Sequence, residues 1–210
     1  LEGVQAFSLT EQANRVQNLL RTIGMTGNMA SLVVVLGHGS SSANNPHKSA
    51  YDCGACGGHE GYNNARLLAM LANRPEVRAE LAKRGLVIPE DTWFLGGGHD
   101  TCSDRITLIE TELVPVSHAA MLTRAKSMLD QAARANASER CRRFVTIPPG
   151  SKPEDAIAHV MERSVDPAQP RPELGHATNA MAFIGRRSRT RGLFLDRRCF
   201  LVSYLSLIHI

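Results

Sequence analysis

The run Leu32–Leu36 (LVVVL) constrains the fold of this 210-residue chain more than any other feature. It has the length of one strand and is apolar at five consecutive positions, so both of its faces are apolar. Strands of this kind are typical of parallel sheets that are covered on both sides. We therefore predict that this segment is a buried, central strand of an α/β sheet.

The rest of the chain shows helical and strand patterns that agree with an open α/β sheet. A helix is predicted over 9–23, where Ser8 and Glu11 fit a capping box and Gly24 ends the helix. Further helices are predicted over 62–72, 76–84, 117–136 and 154–163, and further strands over 92–95, 180–184 and within 194–204. The helix over 117–136 is expected to bury an apolar side made of Ala120, Leu122, Ala125, Met128, Leu129 and Ala132.

Two of the predicted strands run directly into a Gly-His sequence. The first reads LVVVLGHG over 32–39 and the second reads WFLGGGHD over 93–100. Ligands of α/β sheets bind outside the carboxyl ends of the strands, and glycines there allow the backbone to turn and to approach a ligand closely. The segment from 37 to 61 is a long connection rich in Gly, Ser and Asn, and connections of this length are usually functional.

The cysteine pattern leaves several interpretations open. Five cysteines at irregular spacing, with no secretory signal, favour reduced thiols or metal ligation over a disulfide framework. Cys53 and Cys56 form a CxxC, which fits half of a zinc site, a redox pair or two buried thiols. A mixed site of His38 and Cys53, 15 residues apart, suits zinc because this ion takes imidazole and thiolate ligands. Alternatively, His38 hydrogen-bonds only to its neighbours.

The other histidines are weaker candidates. His99, together with Asp100 and Cys102, is expected to line the pocket or to orient a ligand at the second strand end. Five others are interpreted as structural or surface residues: His47, His59, His118, His159 and His176.

The charge is unevenly distributed along the chain. Residues 1–138 hold 12 Lys and Arg against 13 Asp and Glu, whereas residues 139–210 hold 12 against 7. The excess includes the arginines at 186, 187, 189, 191, 197 and 198. They form either a solvated basic face or a surface for an acidic partner or anionic lipid headgroups. Aromatic residues make up only 5% of the chain, which argues against a platform for stacked nucleic-acid bases.

Several segments in order resemble the DabA family, the β-carbonic-anhydrase-like subunit of a two-component inorganic-carbon uptake system. They are VVVLGHGSSSANNPHKSAYDCGACGG, NARLLAMLANRPEVRAEL, PEDTWFLGGGHDTCSD, QPRPELGHATNAMAFIGRR and TRGLFLDRRCFLVSY. The resemblance runs from residue 2 to Tyr204 and implies an open mixed sheet like that of β-carbonic anhydrase, incomplete in this piece. It implies a C-terminal-half segment of a longer protein, divided into a zinc-loop part (1–150) and a basic continuation (151–204). The apolar ending 205–210 (LSLIHI) has no turn or cap chemistry and is expected to be a non-native tail.

The same resemblance implies a zinc site and a role in transport. The His of LGHGS corresponds to His38 and the Cys that opens CGACGG to Cys53. A further cysteine and aspartate, and the catalytic residues, would lie upstream of this chain. Zinc hydroxide would hydrate CO2 to bicarbonate, with activity expected only in the full-length protein within its complex. The implied partner is a membrane-embedded, proton-channelling DabB subunit, with this subunit peripheral on the cytoplasmic face of the inner membrane and no nucleic acid bound. The alternative is a basic binding module for nucleic acid or an anionic membrane surface.

Overall fold

A computed structural model describes residues 7–43, 52, 56, 58–169, 181–185, 187–193, 195 and 199–202. The helices are α1 (Leu9–Thr22), α2 (Tyr62–Asn73), α3 (Pro75–Lys83), α4 (Ala119–Cys141) and α5 (Pro153–Val165). The strands are β1 (Leu32–Gly39), β2 (Trp93–Asp100), β3 (Ile106–Leu108), β4 (Met181–Ile184) and β5 (Cys199–Val202). The chain divides into two compact units, one of 1–29, 74–90 and 174–210, the other of 30–73 and 91–173.

The second unit contains a mixed three-stranded sheet in the order β1-β2-β3. β1 and β2 are parallel, and β3 is antiparallel to β2. Helix α2 packs against β1 and β2. Five of the eight residues of β2 are buried, so this strand forms the centre of the sheet. The predicted α/β class with an open mixed sheet is therefore confirmed.

The prediction that the LVVVL strand is central and buried is wrong for the part of the chain that the structure describes. β1 lies at the edge of the sheet, and only Gly39 among its eight residues is buried. Leu36 keeps 40% of its surface exposed. Apolar composition indicates how a strand prefers to be covered, but a strand becomes central only if a second neighbour is present.

Helices α4 and α5 pack together through a small apolar cluster of Ala137, Cys141, Ala156 and Val160. The apolar side predicted for 117–136 is not the buried side of this helix. The buried residues of α4 all lie near its C-terminal end, beyond that stretch, and Met128 is 58% exposed. The apolar periodicity is present, but none of the six residues is buried in the part of the chain that the structure describes.

The first unit is built around the pair of helices α1 and α3. The predicted capping box is confirmed, because Ser8 Oγ accepts the Glu11 N–H while the Glu11 carboxylate accepts the Ser8 N–H at 2.8 Å. Val16 and Val77 are completely buried in this unit. β4 and β5 form a separate parallel pair in the same unit.

The remaining helices and strands lie close to their predicted positions. β1 and β2 extend through the Gly-His sequences to Gly39 and Asp100, which were predicted as connections. Strand β3 was not predicted, since its three residues carry no periodic signal. The division at residues 150 and 204 stays a prediction. None of the helices that the structure describes is long and apolar enough to span a membrane.

Candidate functional site

His38 and His99 lie side by side at the carboxyl ends of the two parallel strands. The register of β1 and β2 pairs His38 with His99 and Gly39 with Asp100. Side chains at paired positions of neighbouring strands lie on the same face of a sheet. The two Gly-His sequences therefore lie at the carboxyl ends of strands, as predicted, and the register places their two imidazoles next to each other.

Glycines on the other face explain why α2 lies so close to the strand ends. A Cβ atom at Gly98 would lie 2.4 Å from the ring of Tyr62, and one at Gly37 would lie 2.1 Å from the carbonyl oxygen of Gly61. These positions therefore face α2. Because side chains alternate along a strand, His38 and His99 lie on the face of the sheet opposite α2.

His99 is held by a network of buried polar groups. Its Nε2 lies 3.1 Å from Asp104 Oδ1, and the side chain of Asp104 is only 3% exposed. The other carboxylate oxygen, Oδ2, accepts a hydrogen bond from Asn136 at 2.5 Å and lies 3.3 Å from a guanidinium nitrogen of Arg140. The orientation of the His99 ring is thus fixed from α4.

Arg140 also secures the turn that follows β2. Its guanidinium donates to the carbonyl oxygens of Thr101 at 2.5 Å and Cys102 at 2.9 Å. Asp104 adopts a left-handed conformation with φ of 61°, which Asp tolerates better than most residues. Sequence reasoning did not select Asp104, Asn136 or Arg140. The only local signal was an aspartate within the turn CSDR, since the other two residues lie more than 30 positions away.

Asp100 joins the connection that follows β1 to the end of β2. Its carboxylate accepts hydrogen bonds from the backbone N–H of Ser41 at 2.9 Å, from the Ser41 hydroxyl at 2.6 Å and from the Ser103 hydroxyl. Burial alone would raise the pKa of Asp100, but these hydrogen bonds outweigh burial and lower the pKa below its ordinary value. The residue therefore stays ionised and holds both strand ends together.

The connection after β1 also returns to the strand end. Asp52 Oδ1 accepts the backbone N–H of Ser40 at 3.0 Å, and the N–H of Gly61 donates to the carbonyl oxygen of His38 at 2.8 Å. Burial raises the pKa of Tyr62 to about 12, and the negative charges of Asp100, Glu60 and Asp52 add to this effect. The phenol of Tyr62 therefore remains neutral at physiological pH.

Of the two predicted metal ligands, His38 is described and Cys53 lies outside the described residues. The His38 side chain is exposed and has no hydrogen bond or ion pair to any residue that the structure describes. Its imidazole is a donor of the type that suits zinc. Within the described part of the chain, no group of three or more His, Cys, Asp or Glu side chains is arranged to hold a metal.

The remaining cysteines of interest make protein contacts. Cys56 Sγ accepts a hydrogen bond from Asn64 at 3.0 Å. Cys102 is completely buried, so it lines no open pocket next to His99.

Two of the histidines that we interpreted as structural are confirmed as such. His118 is buried and hydrogen-bonds the Asp91 carbonyl at 2.6 Å. His159 lies 3.2 Å from the Thr146 hydroxyl and packs against Phe144. His59 is exposed, whereas His47 and His176 lie outside the described residues. Of the basic cluster, Arg189 and Arg191 are exposed.

Comparison with known proteins identifies the class of protein to which this arrangement belongs. Residues 2–206 match a family model described as "Probable inorganic carbon transporter subunit DabA". The chain belongs to the DabA family, as its sequence motifs indicated.

Individual relatives agree with this assignment. A "Probable inorganic carbon transporter subunit DabA 2" from Sorangium cellulosum is 55% identical over 202 residues, which are 96% of this chain and 20% of the relative. A "Probable inorganic carbon transporter subunit DabA" from Methylococcus capsulatus is 56% identical over 194 residues, which are 92% of this chain and 18% of the relative. One from Azotobacter vinelandii is 48% identical over 205 residues, covering 97% and 24%.

The chain thus spans about a fifth of the length of the curated relatives that it matches. No solved structure matches it significantly.

Proposed function

We propose that this chain supplies part of a zinc site in a subunit that takes up inorganic carbon by hydrating CO2 to bicarbonate. His38 and Cys53 are the two ligands that it would contribute. The observation that carries this proposal is the hydrogen bond of 3.0 Å from the Ser40 N–H to Asp52. This bond links Asp52, the residue before Cys53, to Ser40, which lies two positions after His38. The remaining ligands would come from the part of the complete protein outside this chain.

Zinc, when bound, acts as a Lewis acid that lowers the pKa of a coordinated water to about 7, which is the chemistry that CO2 hydration requires. The residues of this chain position the groups around that ion. Asp100 fixes the backbone after β1 through Ser41, so that the strand carrying His38 ends in one defined conformation. Asp104 orients His99 beside it.

His99 would hydrogen-bond a substrate or a water at the same face of the sheet. Its ring lies beside His38 in register, its side chain is 34% exposed, and Asp104 occupies only one ring nitrogen. Because the Asp104 carboxylate is also paired with Arg140, the pair of His99 and Asp104 does not place an uncompensated negative charge beside an approaching bicarbonate.

The transport role is proposed from the descriptions of the relatives, which name a transporter subunit and hence imply a further subunit. We propose a membrane-embedded, proton-channelling partner of the DabB type, with this subunit peripheral on the cytoplasmic face of the inner membrane. A β-carbonic-anhydrase-like sheet in the complete protein is part of the same proposal. The parallel β1–β2 pair with its ligand residues at the carboxyl ends supports it.

The test is the zinc content of the full-length protein, measured by mass spectrometry of the metal, together with bicarbonate-dependent growth of cells that carry it. We expect one zinc per chain in the wild type, and loss of both zinc and uptake in His38→Ala and Cys53→Ala. The matched control is His59→Ala, because His59 is an exposed histidine on the same connection. Uptake that persists in both ligand variants, although they lack zinc, would contradict the proposal.

A further inference from the structure

The edge strand β1 has the composition of a strand that has neighbours on both sides. Its first five residues, Leu32–Leu36, are all apolar and include no charged residue and no proline. Natural edge strands are usually protected from pairing with a further strand by charged residues or prolines, by bulges or by a covering segment. β2, which has similar apolar residues and two neighbours, is buried over five positions, whereas β1 is at least partly exposed everywhere except at Gly39.

The hydrogen bonds at both ends of β1 show which backbone groups point away from β2. The carbonyl oxygens of Ser31 and Gly39 accept the N–H groups of Trp93 and Thr101 at 2.8 and 2.9 Å. In a parallel ladder, successive residues point their backbone groups alternately to one neighbour and to the other. Positions 33, 35 and 37 therefore pair with β2.

Positions 32, 34, 36 and 38 consequently direct their N–H and C=O groups to the outer edge. The carbonyl oxygen of His38 confirms this direction, because it accepts the N–H of Gly61 rather than a group of β2. For Leu32, Val34 and Leu36, no strand among the described residues supplies a partner. Three consecutive outward-facing amide groups on an apolar strand make a template for a further strand.

We infer that the outer edge of β1 binds a parallel β-strand that belongs to the same polypeptide but lies outside residues 1–210. The relatives supply the argument for this occupant, since this chain covers only 18–20% of their length and about four fifths of such a protein lies elsewhere. The parallel direction follows from the uninterrupted apolar run, which is typical of parallel sheets and not of antiparallel ones with a solvated face.

A parallel neighbour would end just before His38, whose outward-facing carbonyl oxygen already accepts the N–H of Gly61. Its carboxyl end would thus lie where the zinc site needs ligands that this chain does not supply. This last step rests on the proposed function, whereas the pairing of the edge does not.

Hydrogen–deuterium exchange of the full-length protein, read at single-residue resolution, tests the pairing. We expect the amides of Leu32, Val34 and Leu36 to be protected to within about tenfold of those of Val33 and Val35, since both sets would then be hydrogen-bonded in one cooperative sheet. The odd-numbered amides serve as the internal control. Exchange of the even-numbered amides at the rate of an exposed loop, with the odd-numbered ones protected, would overturn the inference.

A photo-crosslinking amino acid at position 36 identifies the occupant. Leu36 belongs to the edge strand, and its side chain is 40% exposed on a face of the sheet, where its Cδ2 lies next to Gly97 of β2. We expect a crosslink within one polypeptide, to a peptide outside residues 1–210, in protein purified without any partner subunit. A crosslink at the mass of a dimer, or one that needs another subunit, would overturn the inference. Crosslinks that form only to peptides within residues 1–210, such as the one containing Gly97, would overturn it as well.

Measuring zinc on the same preparation separates this inference from the proposed function. Protected edge amides in a protein without zinc would leave the strand pairing standing and contradict the zinc site. Exposed edge amides in a protein that binds one zinc per chain would contradict the strand pairing and leave the zinc site standing.

Discussion

Replacing Asp104 with Asn tests the buried ion pair behind His99. Asn keeps the size of the side chain and tolerates the left-handed backbone at this position, so the substitution removes mainly the charge. Asp104 and Arg140 have side chains that are 3% and 7% exposed, and their charged atoms lie 3.3 Å apart. The variant therefore leaves the Arg140 guanidinium buried without its counterion.

Breaking a buried pair by removing one partner costs about 3–5 kcal/mol. We expect the lower end, about 3 kcal/mol, because Arg140 retains its hydrogen bonds to the carbonyl oxygens of Thr101 and Cys102. A loss of this size corresponds to an increase of about 100-fold in the local opening constant. Hydrogen exchange of the amides of residues 137–141 at the end of α4, in the full-length protein, measures it directly.

The control is Asp130→Asn on the same helix. Asp130 is 63% exposed and pairs with Arg134 at 2.8 Å, and an exposed pair of this kind contributes little to stability because water screens its charges. The two variants should thus differ by roughly two orders of magnitude in exchange rate near residue 140. If Asp104→Asn changes these rates no more than Asp130→Asn does, the reasoning about the buried network is refuted.

Two further predictions concern the packing and the charge at the strand ends. Gly98→Ala places a Cβ atom 2.4 Å from the Tyr62 ring and should destabilise the protein by about 1–3 kcal/mol. The control is Gly27→Ala, which should not destabilise it because nothing lies within 4 Å of that position. Unfolding in urea measures both, and the same midpoint for the two variants would contradict the prediction. Asp100 has a lowered pKa in the folded state, so its contribution to stability is complete above its ordinary value of 3.8 and is lost as the pH falls through the lower folded value. Asp100→Asn should therefore weaken the dependence of stability on pH below about 4, and an unchanged acid unfolding curve would show that these hydrogen bonds contribute nothing.

Features that depend on neighbouring residues in the sequence were predictable. The capping box of Ser8 and Glu11 involves residues three apart, and the start of α1 follows from it. The two Gly-His strand ends were identified from apolar runs, and their alignment in register follows once β1 and β2 are parallel neighbours.

Features that depend on distant residues were not predictable. Asp104 and Arg140 are separated by 36 positions and meet only because α4 packs beside the turn after β2, so no periodic pattern indicates the pair. The edge position of β1 depends on which strands are present, and its apolar composition alone pointed to the centre of a sheet. The prediction that the apolar side of 117–136 is buried was wrong for the same reason. Periodicity indicates a preference for burial and not the presence of a covering element.

X-ray absorption spectroscopy at the zinc edge of the full-length protein tests the central claim most directly. We expect sulfur scattering at about 2.3 Å and imidazole nitrogen at about 2.0–2.1 Å from the metal. Because these variants should lose zinc as purified, they are measured after reloading with the metal. The zinc that Cys53→Ser then holds should show a lower sulfur contribution, and the zinc that His38→Ala holds should lack the imidazole signal. A zinc shell that is the same in both variants as in the wild type would show that neither residue binds the metal.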